Sequence, residues 1–184
     1  AASDVYKRQV ISNPLGEDFS IMRTISLNGM LTSLSTNFNR RNKNVRLYEL
    51  GNIYLPKQVP VTELPEERMQ FTLGMYGEGD FFTMKGVIEE FLYKAGMKLK
   101  PEYDPEAGKP FLHPGRQANV VYDGTVIGYL GEVHPTVAAN YAIKERVYVA
   151  VLDMPEIVSR ASFDHKYEGI ATVSYTHLTL PTIA

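Results

Sequence analysis

The sequence contains no cysteine, which excludes disulfide bonds, thiolate metal ligands and a cysteine nucleophile. No apolar run approaches the roughly 18–20 residues that a membrane-spanning helix needs. The formal net charge is only −2, so contact with nucleic acid would need a local basic patch rather than a global field. Because the absence of cysteine suits a reducing compartment, we expect a cytoplasmic protein without a membrane partner.

Motifs for several common kinds of catalysis are absent too. The chain has no Gly-x-Ser-x-Gly nucleophile elbow, no Gly-x-x-x-x-Gly-Lys phosphate loop and no Gly-x-Gly-x-x-Gly fingerprint. His113, Glu132 and His134 are the best available metal-ligand set, but each histidine precedes a proline in a turn-like segment. We therefore predict turn and helix-cap roles for these histidines, and no catalytic, metal-binding or cofactor-binding residue.

The composition that remains is that of an ordinary globular domain. The 184 residues suit one domain, with 44% hydrophobic and 22% charged residues. Both ends, residues 1–9 and 173–184, resemble translated adaptor sequence, and we predict that they are non-native tails. The native domain is then expected to cover residues 10–172, and the alternative is that both ends are genuine termini.

Hydrophobic periodicity predicts helices and strands in alternation. Apolar side chains repeat at helical spacing over residues 26–39, and again over 80–95 between an N-cap at Asp80 and a glycine at Gly96. Asp123–Gly124 predicts a tight hairpin. These patterns predict an α+β fold in which helices flank a mostly antiparallel sheet. The predicted strands are 45–55, 70–76, 118–122, 125–133 and 146–152, and shorter helices are predicted at 135–142 and 153–160.

The strand predicted at residues 45–55 is apolar on both faces, which favours a central position in the sheet. Glu49 shares the face of Val45 and Leu47. A carboxylate on an apolar face needs a partner, and we predict that Glu49 is a structural anchor paired with an arginine. A catalytic carboxylate is the less favoured alternative. Prolines and charged residues make 57–68 a loop.

Four cations, Arg40, Arg41, Lys43 and Arg46, follow the first predicted helix. Cations at a helix C-terminus complement the helix dipole, and this structural role is the favoured interpretation. Contact with phosphate is the alternative. It has weaker support, because no aromatic residues are interleaved with the cations as they are in many RNA-binding segments.

Two blocks of sequence carry a family resemblance. The first is NPLGEDFSIMRT at residues 13–24, and the second combines FLHPGR at 111–116 with GYLGEVHP at 128–135. In this order they resemble the β subunit of bacterial phenylalanyl-tRNA synthetase over residues 10–172. The resemblance implies a class II synthetase-like core, truncated before its last strand and helix, that packs on the α subunit without catalysing the reaction.

In that family the holoenzyme is an (αβ)₂ assembly that joins phenylalanine to its tRNA with ATP and Mg²⁺. The resemblance implies the α subunit as direct partner, tRNA-Phe as a partner of the holoenzyme, and no cofactor bound by this segment. By analogy, the subunit-interface candidates are Met22, Arg23, Leu27, Leu31, Asn39, Arg40 and Arg41. The structural polar anchors are expected at Glu49, His113, Arg116, Glu132 and His134.

One motif departs from the catalytic pattern of class II synthetases. Catalytic members resemble Gly-x-Val-Tyr-Arg-Arg-Asp after a strand, where the arginines stabilise charge on the ATP phosphate. The nearest match here has Leu55 and Pro56 in the arginine positions, and the following Lys57 lacks a guanidinium fork. We therefore predict a non-catalytic member. The alternatives are an active adenylate-forming enzyme and a stand-alone α+β binding module that shares only ancestry.

Overall fold

The computed structural model describes residues 10–14, 16, 20–58 and 62–162. The predicted tails at 1–9 and 173–184, and the predicted domain end at 172, lie outside these residues. Within the described part of the chain, no helix is long and apolar enough to cross a membrane. The elements in chain order are α1 (Leu27–Asn39), β1 (Val45–Leu55), β2 (Glu66–Tyr76), α2 (Phe81–Lys94), β3 (Glu102–Asp104), β4 (Leu112–Tyr122), β5 (Thr125–Val133), α3 (Pro135–Asn140), β6 (Val147–Asp153) and α4 (Met154–Val158).

The six strands of the described chain form one antiparallel sheet in the order β1-β2-β6-β5-β4-β3. β1 and β2 make a long hairpin whose ladder runs from Val45 opposite Tyr76 to Leu55 opposite Glu66. β6 lies between β2 and β5, and so joins this hairpin to the hairpin of β4 and β5. The predicted α+β fold with a mostly antiparallel sheet is confirmed.

Helices cover both faces of the sheet. Because side chains alternate along a strand, Tyr76 of β2 packs on the α1 side, whereas Leu73 and Met75 pack on the α2 side. The two apolar cores are therefore separated by the sheet itself. The side chains that the helices bury are Leu27, Met30, Leu31 and Leu34 in α1, and Met84, Ile88 and Leu92 in α2.

Local signals at the ends of α2 and at the β4–β5 turn act as the sequence predicts. Asp80 accepts a 2.8 Å hydrogen bond from Thr83 N, and Thr83 Oγ1 accepts a 3.2 Å bond from Asp80 N, which completes a capping box. The bonds from the Thr83 backbone and hydroxyl lower the pKa of the Asp80 carboxyl. Gly96 ends the helix at φ +77°, and Asp123 and Gly124 both have positive φ, as a type I′ turn requires.

The central position predicted for β1 is wrong, because β1 is an edge strand of the described sheet. Its two faces alternate as predicted, but α2 packs over β5 and β6 and leaves the outer face of β1 uncovered. Tyr48 is 75% exposed there and Leu50 is 54% exposed. β1 is therefore apolar on both faces although the described chain buries only one of them, and its outer face is an exposed apolar surface.

Other element boundaries also differ from prediction. β2 begins at Glu66 rather than residue 70, and β4 begins at Leu112 rather than residue 118, because strand pairing extends both strands into polar sequence. The short β3 was not predicted. Asp153 occupies the N-cap position of α4 but makes no capping bond, since its carboxylate accepts a 2.8 Å hydrogen bond from Arg68 Nε.

Candidate functional site

Arginine–carboxylate pairs lie against the sheet at three places. In each pair the carboxylate lies on a strand, and the partly buried guanidinium comes from a neighbouring strand or from the segment that precedes α1. Their charges are therefore balanced inside the chain. The pairs are Arg23 with Glu49, Arg68 with Asp153, and Arg116 with Glu132.

The Arg23–Glu49 pair ties the segment before α1 to the edge strand. Arg23 Nε donates to the carbonyl of Asn52 at 2.8 Å while its Nη1 pairs with Glu49. The backbone carbonyl of Arg23 accepts a 2.9 Å bond from Tyr54 N. Glu49 thus has an arginine partner, and Arg23, an interface candidate by analogy, uses its charge within the chain.

A buried hydrogen-bonded chain lies beside this pair and has no clear signal in the sequence. Thr72 Oγ1 donates to Ser26 Oγ at 2.7 Å, and Ser26 Oγ donates to Gln70 Oε1 at 2.7 Å. Ser26 stands at the start of α1, so these bonds fix that helix end on β2. The bonded partners are separated by 44 and 46 positions in the sequence, so a local sequence pattern does not predict these bonds.

The Arg116–Glu132 pair is the most deeply placed of the three. The Glu132 side chain is 4% exposed, and Arg116 Nη1 donates to both of its oxygens at 2.9 and 3.0 Å. A second cation, Arg146, places its Nε 4.0 Å from Glu132 Oε1. Arg116 lines two open cavities of about 550 and 630 Å³, and Glu132 lines the larger one.

The smaller cavity has aromatic walls and few free polar groups. Lys85 Nζ lies 4.4 Å from the centre of the Tyr103 ring, as a cation–π contact. Burial, with a smaller contribution from Glu89, raises the pKa of the Tyr103 hydroxyl. Gln117 accepts a bond from a backbone amide, and Asp80 is the cap of α2. These polar groups serve the fold, and no nucleophile lies next to a base among the described residues that line the cavity.

The two histidines predicted as polar anchors each bind a nearby backbone amide. His113 Nδ1 accepts from Gly115 N at 3.1 Å, and His134 Nδ1 accepts from Thr136 N at 3.3 Å at the start of α3. These are the contacts of turn and helix-cap residues. Within the described ranges, no three His, Cys, Asp or Glu side chains come together in a way that could hold a metal ion.

The residues predicted by analogy for a subunit interface fall in different environments. Leu27 and Leu31 are only 3% and 1% exposed, because they face this chain's own core. Met22 is partly buried. A contact with another chain in this region would therefore fall to the outer face of α1 and to the exposed Asn39, Arg40 and Arg41 that follow it.

Comparison with known proteins identifies the family. Residues 2–154 match the family model described as "Phenylalanyl tRNA synthetase beta chain CLM domain". The chain belongs to this phenylalanyl-tRNA synthetase β chain family. The resemblance inferred from the two sequence blocks is confirmed. The match begins inside the predicted tail at 1–9, and the tail boundaries stay a prediction.

Two of the similar relatives in the phenylalanyl-tRNA synthetase β chain family come from clostridia. The chain is 42% identical over 160 residues to the phenylalanine–tRNA ligase β subunit of Clostridium acetobutylicum, and 39% identical over 168 residues to that of Clostridium tetani. The alignments cover 87% and 91% of this chain but 20% and 21% of the relatives. The chain therefore spans about a fifth of the length of these β subunits.

A solved synthetase shares the fold. The pyrrolysyl-tRNA synthetase of Desulfitobacterium hafniense aligns with a TM-score of 0.62 at 11% identity, over 83% of this chain and 52% of that one. The described chain therefore has an aminoacyl-tRNA synthetase-like fold. The predicted truncation before a last strand and helix stays a prediction.

Proposed function

We propose that this segment is the non-catalytic core of a phenylalanine–tRNA ligase β subunit and that it packs on the catalytic α subunit. The complete (αβ)₂ enzyme would join phenylalanine to tRNA-Phe in the cytoplasm, with ATP and Mg²⁺ bound elsewhere in the assembly. Membership of the β chain family supports the assignment.

The observation that carries the non-catalytic role is the pairing of arginines on the sheet. Adenylate formation needs cations free to stabilise charge on a phosphate. β1 ends at Leu55 and Pro56 follows, so the positions that match the class II arginines carry neither a guanidinium nor, at the proline, an N–H donor. Three partly buried arginines that lie against the described sheet, Arg23, Arg68 and Arg116, are each held by a carboxylate. This pairing supports a core that does not itself bind ATP and Mg²⁺.

The outer face of α1 has properties that suit a protein interface. No charged residue occurs from Leu27 to Asn39. Its polar side chains fold back onto the helix: Thr32 Oγ1 donates to the carbonyl of Asn28 at 2.9 Å, and Thr36 Oγ1 donates to the carbonyl of Thr32 at 3.0 Å. Such a face loses less hydration when another subunit covers it, because these two hydroxyl donors are already satisfied.

Insertion of a charge into this face tests the interface. In the full-length β subunit, Thr36→Glu should weaken association with the α subunit by about tenfold or more, because an unpaired charge at an interface costs on the order of 1–3 kcal/mol. Val87→Glu is the matched control, since it adds the same charge to an exposed position of α2 on the opposite face. Light scattering and titration of the purified subunits would measure both.

Two results would contradict the proposal. Equal association of both variants with the α subunit would remove α1 from the interface. Phenylalanine-dependent pyrophosphate exchange by the β subunit alone would show that it forms the adenylate, and would end the non-catalytic assignment.

A further inference from the structure

Exposed cations gather at one end of the sheet, where β1 and β6 begin and β2 ends. They come from the turn between α1 and β1, from β1 itself, and from the loop between α3 and β6. The chain as a whole carries a net charge of −2, so the concentration of positive charge is local. The basic patch consists of Arg40, Arg41, Lys43, Arg46, Lys144 and Arg146.

The fold brings the two loops of the basic patch to Tyr76. The backbone of Tyr76 pairs with Val45 on one side and Val147 on the other, so the first residues of β1 and β6 flank it. Its hydroxyl donates to the carbonyl of Asn42 at 2.9 Å, inside the α1–β1 turn. Cations that are about a hundred residues apart in sequence therefore share one edge of the molecule.

The α1–β1 turn is held in place by hydrogen bonds on both sides. Asn42 Nδ2 donates to Asn37 Oδ1 at 2.8 Å, and Asn44 Oδ1 accepts from Glu78 N at 3.0 Å. Gly77 lies so close that a Cβ there would be 2.3 Å from the carbonyl oxygen of Lys43. The cations of this turn project from a fixed backbone, which lowers the entropy lost when a ligand binds.

The basic patch differs from the sheet arginines because most of its cations have no carboxylate partner, even though the exposed Glu145 lies between Lys144 and Arg146 in the sequence. Arg46 donates only to the backbone carbonyl of Glu78, at 3.4 Å, and Arg146 lies 4.0 Å from Glu132, which Arg116 already holds. Four members have no carboxylate partner within ion-pair distance among the residues that the structure describes: Arg40, Arg41, Lys43 and Lys144.

We propose that the basic patch binds the phosphate backbone of RNA, an inference that rests on the proposed role of this segment in a tRNA ligase. Exposed unpaired cations on a fixed backbone are suited to regularly spaced phosphates. Asn39 and Asn42 are interleaved with the cations, and amide side chains commonly contact phosphate and sugar. The turn contains no aromatic residue on which a base could stack. We therefore expect the contact to depend on phosphate charge and not on base sequence.

Neutralisation of the patch in the complete enzyme tests the proposal. The triple variant Lys43→Gln/Arg46→Gln/Lys144→Gln, which leaves the interface candidate Arg40 intact, should weaken tRNA binding by about tenfold and reduce the salt slope of log Kd by about one for each lost phosphate contact. The control Lys94→Gln/Lys98→Gln/Lys100→Gln removes the same charge around the far end of α2 and should change neither. Binding would be measured by fluorescence anisotropy over a range of salt concentrations.

Assembly and phenylalanine activation, followed on the same samples by light scattering and pyrophosphate exchange, should be unchanged in the triple variant. An unchanged Kd and salt slope would overturn the proposal. If the triple variant lost subunit assembly instead of tRNA binding, the proposal would also be overturned, because the patch would then face an acidic surface of the α subunit. A wild-type complex that activates phenylalanine but binds no tRNA would overturn the RNA contact and the proposed function together. A complex that binds tRNA without pyrophosphate exchange would refute only the proposed function.

Discussion

Glu132 shows how a single residue constrains its neighbours. It is the most buried carboxylate of the described chain, and a charge so placed requires a cation within reach. Arg116 supplies that cation from the adjacent strand, and its own side chain remains 43% exposed. The pair therefore stabilises the sheet at low cost to the arginine, whereas loss of the arginine leaves a nearly buried carboxylate without its close partner.

We expect Arg116→Met to lower the free energy of unfolding by about 2 kcal/mol, less than for a fully buried pair because Arg116 is partly solvated. The double variant Arg116→Met/Glu132→Gln should recover at least about half of this loss, since it removes the stranded charge. Urea unfolding of both variants measures the difference. A double variant as unstable as Arg116→Met would show that packing, and not charge balance, determines the effect.

For a carboxylate on an apolar strand face, the sequence predicts that a cationic partner is needed but not which residue supplies it. Alternation along β1 places Glu49 on an apolar face, so an arginine partner could be predicted from the strand pattern alone. Arg23 lies 26 residues away, and Arg68 lies 85 residues from Asp153. Only the register of the assembled strands decides which of the many surface cations meets which carboxylate.

Among the elements, the α1–β1 turn depends on a close approach by the turn that follows β2. Gly77 has φ +91°, a region that side chains other than glycine rarely occupy, and a Cβ would meet the Lys43 carbonyl. The two turns can touch only because this position has no side chain.

Gly77→Ala should therefore lower the free energy of unfolding by at least about 2 kcal/mol, from backbone strain together with the steric clash. Gly86→Ala is a control of opposite sign: it lies in α2 with nothing within 4 Å of its Cβ position, so alanine should stabilise the helix by about 0.5–1 kcal/mol. Thermal and urea unfolding would measure both. If the two variants changed stability equally, the close contact at Gly77 would not matter.

Elements with both a periodic pattern and an end signal could be predicted well. α2 has an apolar stripe, a capping box and a C-terminal glycine, and the β4–β5 hairpin has Asp123–Gly124. β3 has three residues and no pattern of its own, so it forms only because β4 pairs with it. The first residues of β2 are charged and read as loop, yet the hairpin ladder with β1 orders them.

At the scale of the whole fold, β1 is an edge strand of the described sheet with an uncovered outer face. Exposed apolar side chains on a long edge strand favour association with other chains. Tyr48→Thr/Leu50→Thr should raise the concentration at which the 184-residue chain stays monomeric in light scattering, with little change in the urea midpoint, because both side chains are more than half exposed.

The matched control is Val126→Thr/Val158→Thr, which removes two exposed apolar side chains from other parts of the surface. It should leave the onset of association where it is. If the control raised the concentration at which association begins by the same factor, association would depend on general surface hydrophobicity rather than on the outer face of β1.

The strand order has a consequence for how the chain folds. The β1–β2 and β4–β5 hairpins join neighbours in sequence, and such local contacts form early because little chain entropy is lost when they close. The strand that unites them, β6, comes after the other five described strands in the chain, yet it takes a place in the middle of the sheet. Until Val147–Asp153 emerge, the nascent chain holds two separate hairpins with open inner edges, and the layer becomes continuous in one late, non-local step.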